Sequence, residues 1–356
     1  MRQLFKLRVL ALLSAVLILG GCSKPLLPYS LETPPLTLSP ASLAGMEDGR
    51  GRFREIYCAV QKDHGAKLSY DRPCEEVILR LEGEPNPTSK PVSFGQAKLM
   101  IRFLIVPGLY NDCIEASKAF SFARAQVERY GYRTADVPVS GWSSSTHNAM
   151  MIRDAIRAAD LSPDEKVVLI GYSKGAPDIL QALVEYPEIV GKVAAVVSIA
   201  GAVGGSPLTD SLDDPHRKMM GHNLFVKCPP GVGDPIVSLQ RSTRQKWLSQ
   251  NRLPGSVKYF SLAAFAGRED ISTVLQASYD TLARIDPRND SQLTFYDQLI
   301  PGCTLLGYVR ADHWAVAIPF SQDKFQPALI DKNEFPREVL LEAVLRFVEE
   351  KLLTSN

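Results

Sequence analysis

The fold is decided by the stretch KVVLIGYSKGAP, which spans residues 166–177. Its first half is a short run of β-branched and aliphatic residues that ends at Gly171, a pattern typical of a buried strand. In its second half Gly175 and Ala176 have little or no side chain, and Pro177 is tolerated in the first turn of a helix. The stretch therefore predicts a strand, a tight turn at Ser173 and a helix.

The same alternation of apolar runs and amphipathic segments continues on both sides of this stretch. Predicted strands cover 99–106, 132–139, 166–170, 193–199, 259–264 and 304–309. Predicted helices cover 114–130, 148–159, 177–185, 271–285 and 337–352. Fully apolar strands separated by helices indicate a parallel sheet that is covered on both faces. The predicted fold class is therefore α/β, with a doubly wound, mostly parallel sheet.

The chain divides into four predicted parts. They are a signal segment (1–21), a Pro-rich tether (22–44), a small N-terminal accessory segment (45–97) and the main domain (98–356). The accessory segment has a helix near 53–61 and a strand near 76–81. Within the main domain, the Gly-, Pro- and Met-rich insert 202–255 interrupts the alternation of strands and helices. A long insert after a strand is the place for a cap over an active site.

The first residues have the order of an export signal. Arg2, Lys6 and Arg8 precede an apolar stretch (9–19) that is too short to cross a bilayer as a helix. LGGC at 19–22 resembles the lipobox of bacterial lipoproteins, which implies cleavage before Cys22 and attachment of a lipid to its thiol. We therefore expect an exported protein, lipid-anchored in the bacterial cell envelope, in the outer membrane if the source is Gram-negative. The alternative is an ordinary signal peptide.

The charge balance excludes some partners and leaves others open. The chain has 40 Lys and Arg against 39 Asp and Glu, a net charge of +1 without charged blocks, so we expect no nucleic-acid partner. Cleavage before Cys22 removes three cations and no acid, which lowers the net charge from +1 to −2. Membrane attachment would then depend on acyl chains rather than on protein charge. The oligomeric state stays open.

Six cysteines are too few for a disulfide framework, but an exported protein can form individual bridges. Cys58 and Cys74 are one candidate pair, and Cys228 with Cys303 is a candidate second pair. The connectivity cannot be read from the sequence. We expect Cys113 to be a small buried hydrophobic residue.

The motif G-x-S-x-G occupies 171–175, between the predicted strand and the predicted helix. This is the setting of a nucleophile elbow, in which a Ser lies at the tip of a tight, strained turn. Such a turn leaves no room for side chains two residues before or after the Ser, and Gly171 and Gly175 meet that need. A plain strand-to-helix turn is the alternative.

With this motif, residues 98–350 resemble the α/β-hydrolase family of serine esterases and lipases. In that family the acid and the His follow the nucleophile along the chain. His313, which follows the last predicted strand, matches the position of the family's base. His216 and His222 lie in the insert without a metal-ligand spacing, and we expect them to be solvated or to pack in the cap. The implied chemistry needs no metal or organic cofactor.

Several acids could complete a triad. Asp297 is the predicted acid, because YDQLIP at 296–301 resembles the Asp-x-x-Val/Ile-Pro segment that carries it in many family members. Strand counting gives Asp270 as the second choice, and Asp286 and Asp290 are weaker candidates. Asp312 is adjacent to His313, and neighbouring side chains on an extended segment point apart.

The resemblance also implies an oxyanion hole of two backbone N–H groups. One belongs to Lys174, directly after the nucleophile. The other belongs to the loop VPGLY at 106–110, where Leu109 is the predicted donor and Tyr110 the alternative. Losing one such donor typically costs ~3 kcal/mol of transition-state stabilisation.

The predicted function is hydrolysis of a small-molecule or lipid ester by Ser173, Asp297 and His313 through an acyl-enzyme. Aromatic and apolar residues near these elements favour an apolar acyl site. They are Tyr110, Trp142, Tyr172 and Trp314, with Met219, Met220, Leu224 and Phe225 of the insert. A thioesterase, acyltransferase or amidase would use the same residues. An alternative of another class is a non-catalytic envelope lipoprotein that binds a lipid or a partner.

Overall fold

The computed structural model describes residues 45–114, 118–210, 212, 228–322 and 328–354. Several predictions lie outside these residues. They are the signal segment with Cys22, the tether, and the insert residues His216, His222, Met219, Met220, Leu224 and Phe225.

Eight strands form one sheet. They are β1 (Glu47–Asp48), β2 (Ile78–Leu79), β3 (Ile101–Val106), β4 (Arg133–Asp136), β5 (Lys166–Tyr172), β6 (Val193–Ile199), β7 (Lys258–Ala264) and β8 (Thr304–Val309). Their order is β1-β8-β7-β6-β5-β3-β4, and β2 pairs with β8 beside this path. All neighbours are parallel except β2 and β8. The doubly wound, mostly parallel sheet predicted from the sequence is confirmed.

Helices cover both faces of the sheet. The described α-helices are α1 (Arg50–His64), α2 (Cys74–Val77), α3 (Arg124–Glu128), α4 (Ser145–Ala158), α5 (Gly175–Glu185), α6 (Pro207–Asp210), α7 (Arg241–Gln250), α8 (Gln276–Ala283) and α9 (Arg337–Leu353). Helices α1 and α3 pack against α9, and α4 packs against α5. The sheet lies between these two groups because alternate side chains of a strand point to opposite faces. In β5, Val168 and Ile170 join the core that contains Phe347 of α9, whereas Leu169 joins the core that contains Leu180 of α5.

Residues 45–97, predicted as an N-terminal accessory segment, contribute two short strands to the sheet of the main domain. Glu47 of β1 pairs with Thr304, and Ile78 of β2 pairs with Val309, so both strands extend the β8 side of the sheet. Arg52 of α1 forms an ion pair of 2.6 Å with Glu350 of α9. The strand predicted near 76–81 contains β2, whereas β1, with two residues, is too short to give a periodic signal.

Two predicted helices are shorter than expected. In the described part of 114–130, only α3 is α-helical, and Phe120 before it has a left-handed backbone with φ of +57°. An L-residue in that conformation cannot continue an α-helix. The helix predicted at 271–285 is reduced to α8, because a 3₁₀ turn at Thr273–Leu275 precedes it.

The described residues contain two disulfides, Cys58–Cys74 and Cys113–Cys228. The predicted pairing of Cys228 with Cys303 is wrong, and Cys113 is bonded rather than a free apolar residue. Cys303 directly precedes β8, at the amino end of the strand, whereas Cys113 follows the carboxyl end of β3. Cys303 is free and buried, and burial raises the pKa of its thiol to about 12.

Candidate active site

Ser173 lies at the sharp turn between β5 and α5. Its φ is +53°, a left-handed conformation that costs a residue with a side chain about 1–3 kcal/mol. Gly175 is required here because a Cβ on it would lie 2.0 Å from the carbonyl oxygen of Val106 in β3. The turn thus has the geometry that the G-x-S-x-G motif predicts, with the serine displayed at its tip.

His313 reaches Ser173 from the segment after β8. The carboxyl ends of parallel strands meet at one edge of a sheet, which brings these two segments together. His313 Nε2 lies 2.9 Å from Ser173 Oγ. Behind the imidazole, the Tyr172 hydroxyl donates a hydrogen bond of 2.7 Å to the carbonyl oxygen of His313. Burial raises the pKa of Tyr172 well above its usual value, so its hydroxyl remains a donor.

Asp290, and not the predicted Asp297, contacts the other side of the imidazole. Its Oδ2 lies 2.7 Å from His313 Nδ1, and its carbonyl accepts a 2.8 Å hydrogen bond from the His313 amide. Asp290 Oδ1 accepts hydrogen bonds from the backbone N–H groups of Gln292 (2.9 Å) and Leu293 (2.7 Å). The carboxylate is buried but hydrogen-bonded on both oxygens, which offsets its loss of hydration.

The predicted acid Asp297 has a different role. Its Oδ2 accepts a 2.5 Å hydrogen bond from Thr294, its Oδ1 lies 3.5 Å from the Arg241 guanidinium of α7, and its carbonyl accepts from Gly204. It therefore joins Gly204 and α7, both in the insert, to the main domain. Burial raises the pKa of Asp297 to about 7, and Arg241 opposes that rise.

The remaining candidate acids also have other partners. Asp270 forms an ion pair of 3.1 Å with Arg310, and Asp286 pairs with Arg288 at 2.8 Å. Asp312 Oδ1 accepts from the backbone N–H groups of Trp314 and Ala315. Its carboxylate therefore organises the turn after β8, in line with the sequence argument that Asp312 cannot serve its neighbour His313.

The loop after β3 and the start of α5 both adjoin the serine. A Cβ on Gly108 would be 2.7 Å from Ser173 Cβ, so the loop after β3 passes directly against the nucleophile. The Tyr110 amide donates to the carbonyl of Gly141 at 3.1 Å and is already used. Within the described residues, the amides of Leu109 and Lys174 donate to no protein acceptor. This distribution favours Leu109 over Tyr110 as the second donor.

The Lys174 side chain points into the protein rather than into the site. Its Nζ lies 2.8 Å from both carboxylate oxygens of Asp178, one turn later in α5. Asn148 of α4 donates a further 2.7 Å hydrogen bond to Asp178. Burial lowers the pKa of Lys174, and the Asp178 carboxylate opposes that decrease. Lys174 thus ties the elbow to the core through its side chain.

Two apolar clusters that share Leu109, here called the Leu109 clusters, pack on the loop after β3. One contains Trp142, Cys228 and Ile236 with Tyr110, Cys113 and Leu212, and the other contains Ala202, Leu239 and Leu293. Tyr110 stacks on Trp142 with ring centres 5.2 Å apart. Tyr110 and Trp142, which the sequence analysis assigned to the acyl site, lie in one cluster with Leu109. Trp314 instead packs edge-on against Phe320, at a ring distance of 5.6 Å.

No group of three or more His, Cys, Asp and Glu side chains in the described part of the chain is arranged to hold a metal ion. A search of the same residues for helices of sufficient length and apolarity to cross a membrane finds none.

The chain is similar to solved structures of esterases and lipases. It is 45% identical to the metagenomic carboxyl esterase MGS0156, with 90% of this chain and 97% of that chain covered and a TM-score of 0.84. It shares its fold with the mature lipase BlEst2 of Bacillus licheniformis (24% identity, 63% and 89% covered, TM-score 0.50). The same holds for the Staphylococcus hyicus lipase (12% identity, 75% and 100% covered, TM-score 0.54). No protein-family model and no curated protein matches the chain.

Proposed function

We propose that this chain, which belongs to the α/β-hydrolase family of esterases and lipases, hydrolyses carboxylic esters with Ser173 as its nucleophile. One observation carries the proposal: Ser173 Oγ, the His313 ring and the Asp290 carboxylate are joined by contacts of 2.9 and 2.7 Å. This continuous path lets a base remove the serine proton while a carboxylate stabilises the resulting imidazolium.

In the proposed reaction His313 Nε2 takes the proton of Ser173 as Oγ attacks the carbonyl carbon. The tetrahedral intermediate collapses when His313 returns that proton to the leaving alcohol, which leaves an acyl group on Ser173. Water activated by the same imidazole then releases the acid. Asp290 accepts the Nδ1 proton in a hydrogen bond throughout, which fixes the tautomer and orientation of the ring.

The amides of Leu109 and Lys174 would stabilise the negative charge that develops on the carbonyl oxygen. Both flank Ser173, one on the loop after β3 and one at the start of α5. Donors held in place before the reaction contribute most, because no reorganisation is needed when the charge appears.

The Leu109 clusters support an ester with an apolar acyl group as the substrate class. Leu109 and Tyr110 are their half-buried members, on the loop of a proposed oxyanion amide. Apolar surface of this kind gains free energy when it covers a hydrocarbon chain, at about 25 cal/mol per Å². A small-molecule or lipid ester with such a chain fits this surface.

A panel of p-nitrophenyl esters of increasing chain length tests the proposal, with Ser173→Ala as the matched variant. We expect turnover by the wild type and a kcat lower by at least about 10³-fold in the variant. The alternative of a non-catalytic binding lipoprotein predicts a serine that is not activated, against which the Ser173–His313 contact argues. A folded wild type that hydrolyses the panel no faster than Ser173→Ala would contradict the proposal.

We further propose that the enzyme works at the bacterial cell envelope, held by a lipid on Cys22. The support is the sequence of residues 1–22, with its basic start, apolar stretch and LGGC end. Cys22→Ala, expressed with the complete N-terminal segment, should lose metabolic labelling with a fatty acid and leave the membrane fraction. A wild type that is unlabelled and found in the soluble fraction would overturn this proposal.

A further inference from the structure

The Cys113–Cys228 disulfide connects two functional segments across 115 residues of sequence. Cys113 lies four residues after Leu109, on the loop that follows β3. Cys228 lies in the insert between β6 and β7. The bond therefore ties the loop that carries a proposed oxyanion donor to the insert.

Residues 107–114 of this loop belong to no helix or strand, and Asp112 Oδ1 accepts a 3.0 Å hydrogen bond from the Gly141 amide. Tyr110 has a left-handed backbone with φ of +65°, and its amide donates to Gly141. Asn111 adds a side-chain hydrogen bond of 3.1 Å to the carbonyl of Val139. The Cys113 amide donates only within the loop, to the carbonyl of Tyr110 at 2.9 Å. A segment that lacks helix or strand hydrogen bonds depends on side-chain contacts for its position.

Residues 228–236 of the insert pack against the segment around Trp142. Ser144 and Val232 join the insert to the segment before α4, since the Ser144 amide donates to the carbonyl of Val232 at 2.8 Å. Gly231 is in close contact with the same segment, because a Cβ on it would lie 1.6 Å from the carbonyl oxygen of Trp142. Cys228 is 6% exposed and packs in the cluster with Trp142 and Ile236. The Cys228 end of the disulfide is therefore buried and packed against Trp142 and Ile236.

The side chain of Leu109 links this arrangement to the catalytic acid. It packs against the cluster of Cys228 and also against the cluster that contains Leu293. The amide of Leu293 donates the 2.7 Å hydrogen bond to Asp290 Oδ1. The position of Leu109 is therefore set from the insert on one side and from the acid loop on the other.

We propose that the Cys113–Cys228 disulfide is a positioning element that holds the Leu109 amide where the oxyanion forms. The inference rests on the proposed function, because it assigns a role within that site. Without the bond, the loop keeps its hydrogen bonds to Val139 and Gly141 but loses its covalent tie to the insert. The expected consequence is a lower kcat at every acyl-chain length, because the oxyanion is common to all ester substrates.

The test compares two double variants, Cys113→Ala/Cys228→Ala and Cys58→Ala/Cys74→Ala. The second pair is the matched control, because its disulfide joins α1 to α2, in the part of the fold that packs against α9. The measurements are kcat and KM on the p-nitrophenyl ester panel, the melting temperature, and labelling of Ser173 by a fluorophosphonate. We expect kcat of the 113/228 variant to fall about tenfold or more on all esters, since losing one oxyanion donor costs about 10²–10³-fold. The control should stay within about threefold of the wild type, because its site is unchanged.

Unchanged kcat in the 113/228 variant would overturn the proposal, and so would a rise in KM confined to long-chain esters, which indicates a role in pocket shape alone. A wild type without turnover or labelling would instead refute the proposed function. If the 113/228 variant does not fold, dithiothreitol treatment of the folded 58/74 variant replaces it. The reagent supplies two electrons and two protons, closes to its cyclic disulfide and leaves two thiols. Loss of kcat in step with the appearance of those thiols, reversed on reoxidation, supports the proposal, whereas full activity of the reduced protein overturns it.

Discussion

The substitution Asp290→Asn tests the contact between His313 and its carboxylate partner, where the structure has Asp290 and the sequence analysis predicted Asp297. The change keeps the size of the side chain and removes its negative charge. Asp290 has two sets of partners: the amides of Gln292 and Leu293 at Oδ1, and His313 Nδ1 at Oδ2. These partners determine the orientation of an asparagine side chain at position 290.

The two backbone amides can only donate, so the oxygen of the new carboxamide must face them. Its NH₂ group then faces His313 Nδ1, which has to accept. The ring proton is forced onto Nε2, 2.9 Å from Ser173 Oγ, where it prevents the imidazole from taking the serine proton. The corresponding change in serine proteases lowers kcat about 10⁴-fold, or about 5.5 kcal/mol of transition-state stabilisation.

The assay is steady-state hydrolysis of one p-nitrophenyl ester, with the rate of fluorophosphonate labelling as a second readout. Asp297→Asn is the matched control, because it makes the same chemical change at the acid that contacts Arg241 and Thr294. It should keep kcat within about fivefold of the wild type, since it shares no partner with His313. Asp290 is not the triad acid if Asp290→Asn stays within tenfold of the wild type, or if Asp297→Asn is the more impaired of the two.

Three further predictions concern residues around the site. Gly108→Ala should lower kcat about 10²-fold by displacing the serine or the Leu109 amide, since the new Cβ would lie 2.7 Å from Ser173 Cβ. Gly191→Ala, where a Cβ meets nothing within 4 Å, is the control, and equal kcat values for the two variants would contradict the prediction. Lys174→Met should lower the free energy of unfolding by about 3–5 kcal/mol, because it leaves Asp178 buried without its cation. The kcat of the folded fraction should change little, because only the Lys174 backbone serves the oxyanion. A urea titration that gives wild-type stability would contradict this prediction. Asp297→Asn should flatten the dependence of stability on pH. Burial raises the pKa of Asp297 to about 7, so between about pH 4 and 7 the folded protein keeps a proton that the unfolded chain has released. As the pH rises across that interval, the free energy of unfolding of the wild type decreases by up to about 4 kcal/mol. Denaturation at pH 5 and pH 8 checks this, and a parallel change in both proteins would count against it.

The elbow could be predicted because its signal is local. A buried strand, two glycines around Ser173 and a following helix are consecutive in the sequence, and their steric reason needs no tertiary information. His313 was found by its place after the last strand, which is a property of chain order. The fold class followed from apolar runs long enough to be periodic.

Asp290 could not be chosen from the sequence, because its position depends on an irregular buried segment. The backbone turns back there: the Asp290 amide donates to the carbonyl of Leu293, Ser291 has φ of +80°, and Asn289 forms isolated bridges with Ala266 and Thr294. None of these contacts leaves a periodic pattern. A motif resemblance therefore selected Asp297, which the fold uses to hold the insert.

The Cys113–Cys228 pairing could not be predicted from the sequence for a related reason. Three cysteines follow Cys74, and which two meet depends on the path of the insert over the loop after β3. A pairing over 115 residues has no local signal. The two-residue strand β1 likewise has no local signal, because its place in the sheet is set by β8 rather than by its own sequence.

The most direct test of the account identifies the atom that reacts. The enzyme is incubated with a fluorophosphonate and digested with trypsin, which cuts after Lys166 and Lys174 and releases the peptide of residues 167–174. We predict that fragmentation of this peptide places the phosphonyl group on Ser173 and that Ser173→Ala protein remains unlabelled. Active wild-type enzyme that carries the group on another residue, or an equally labelled and active Ser173→Ala protein, would contradict the assignment of Ser173 as the nucleophile.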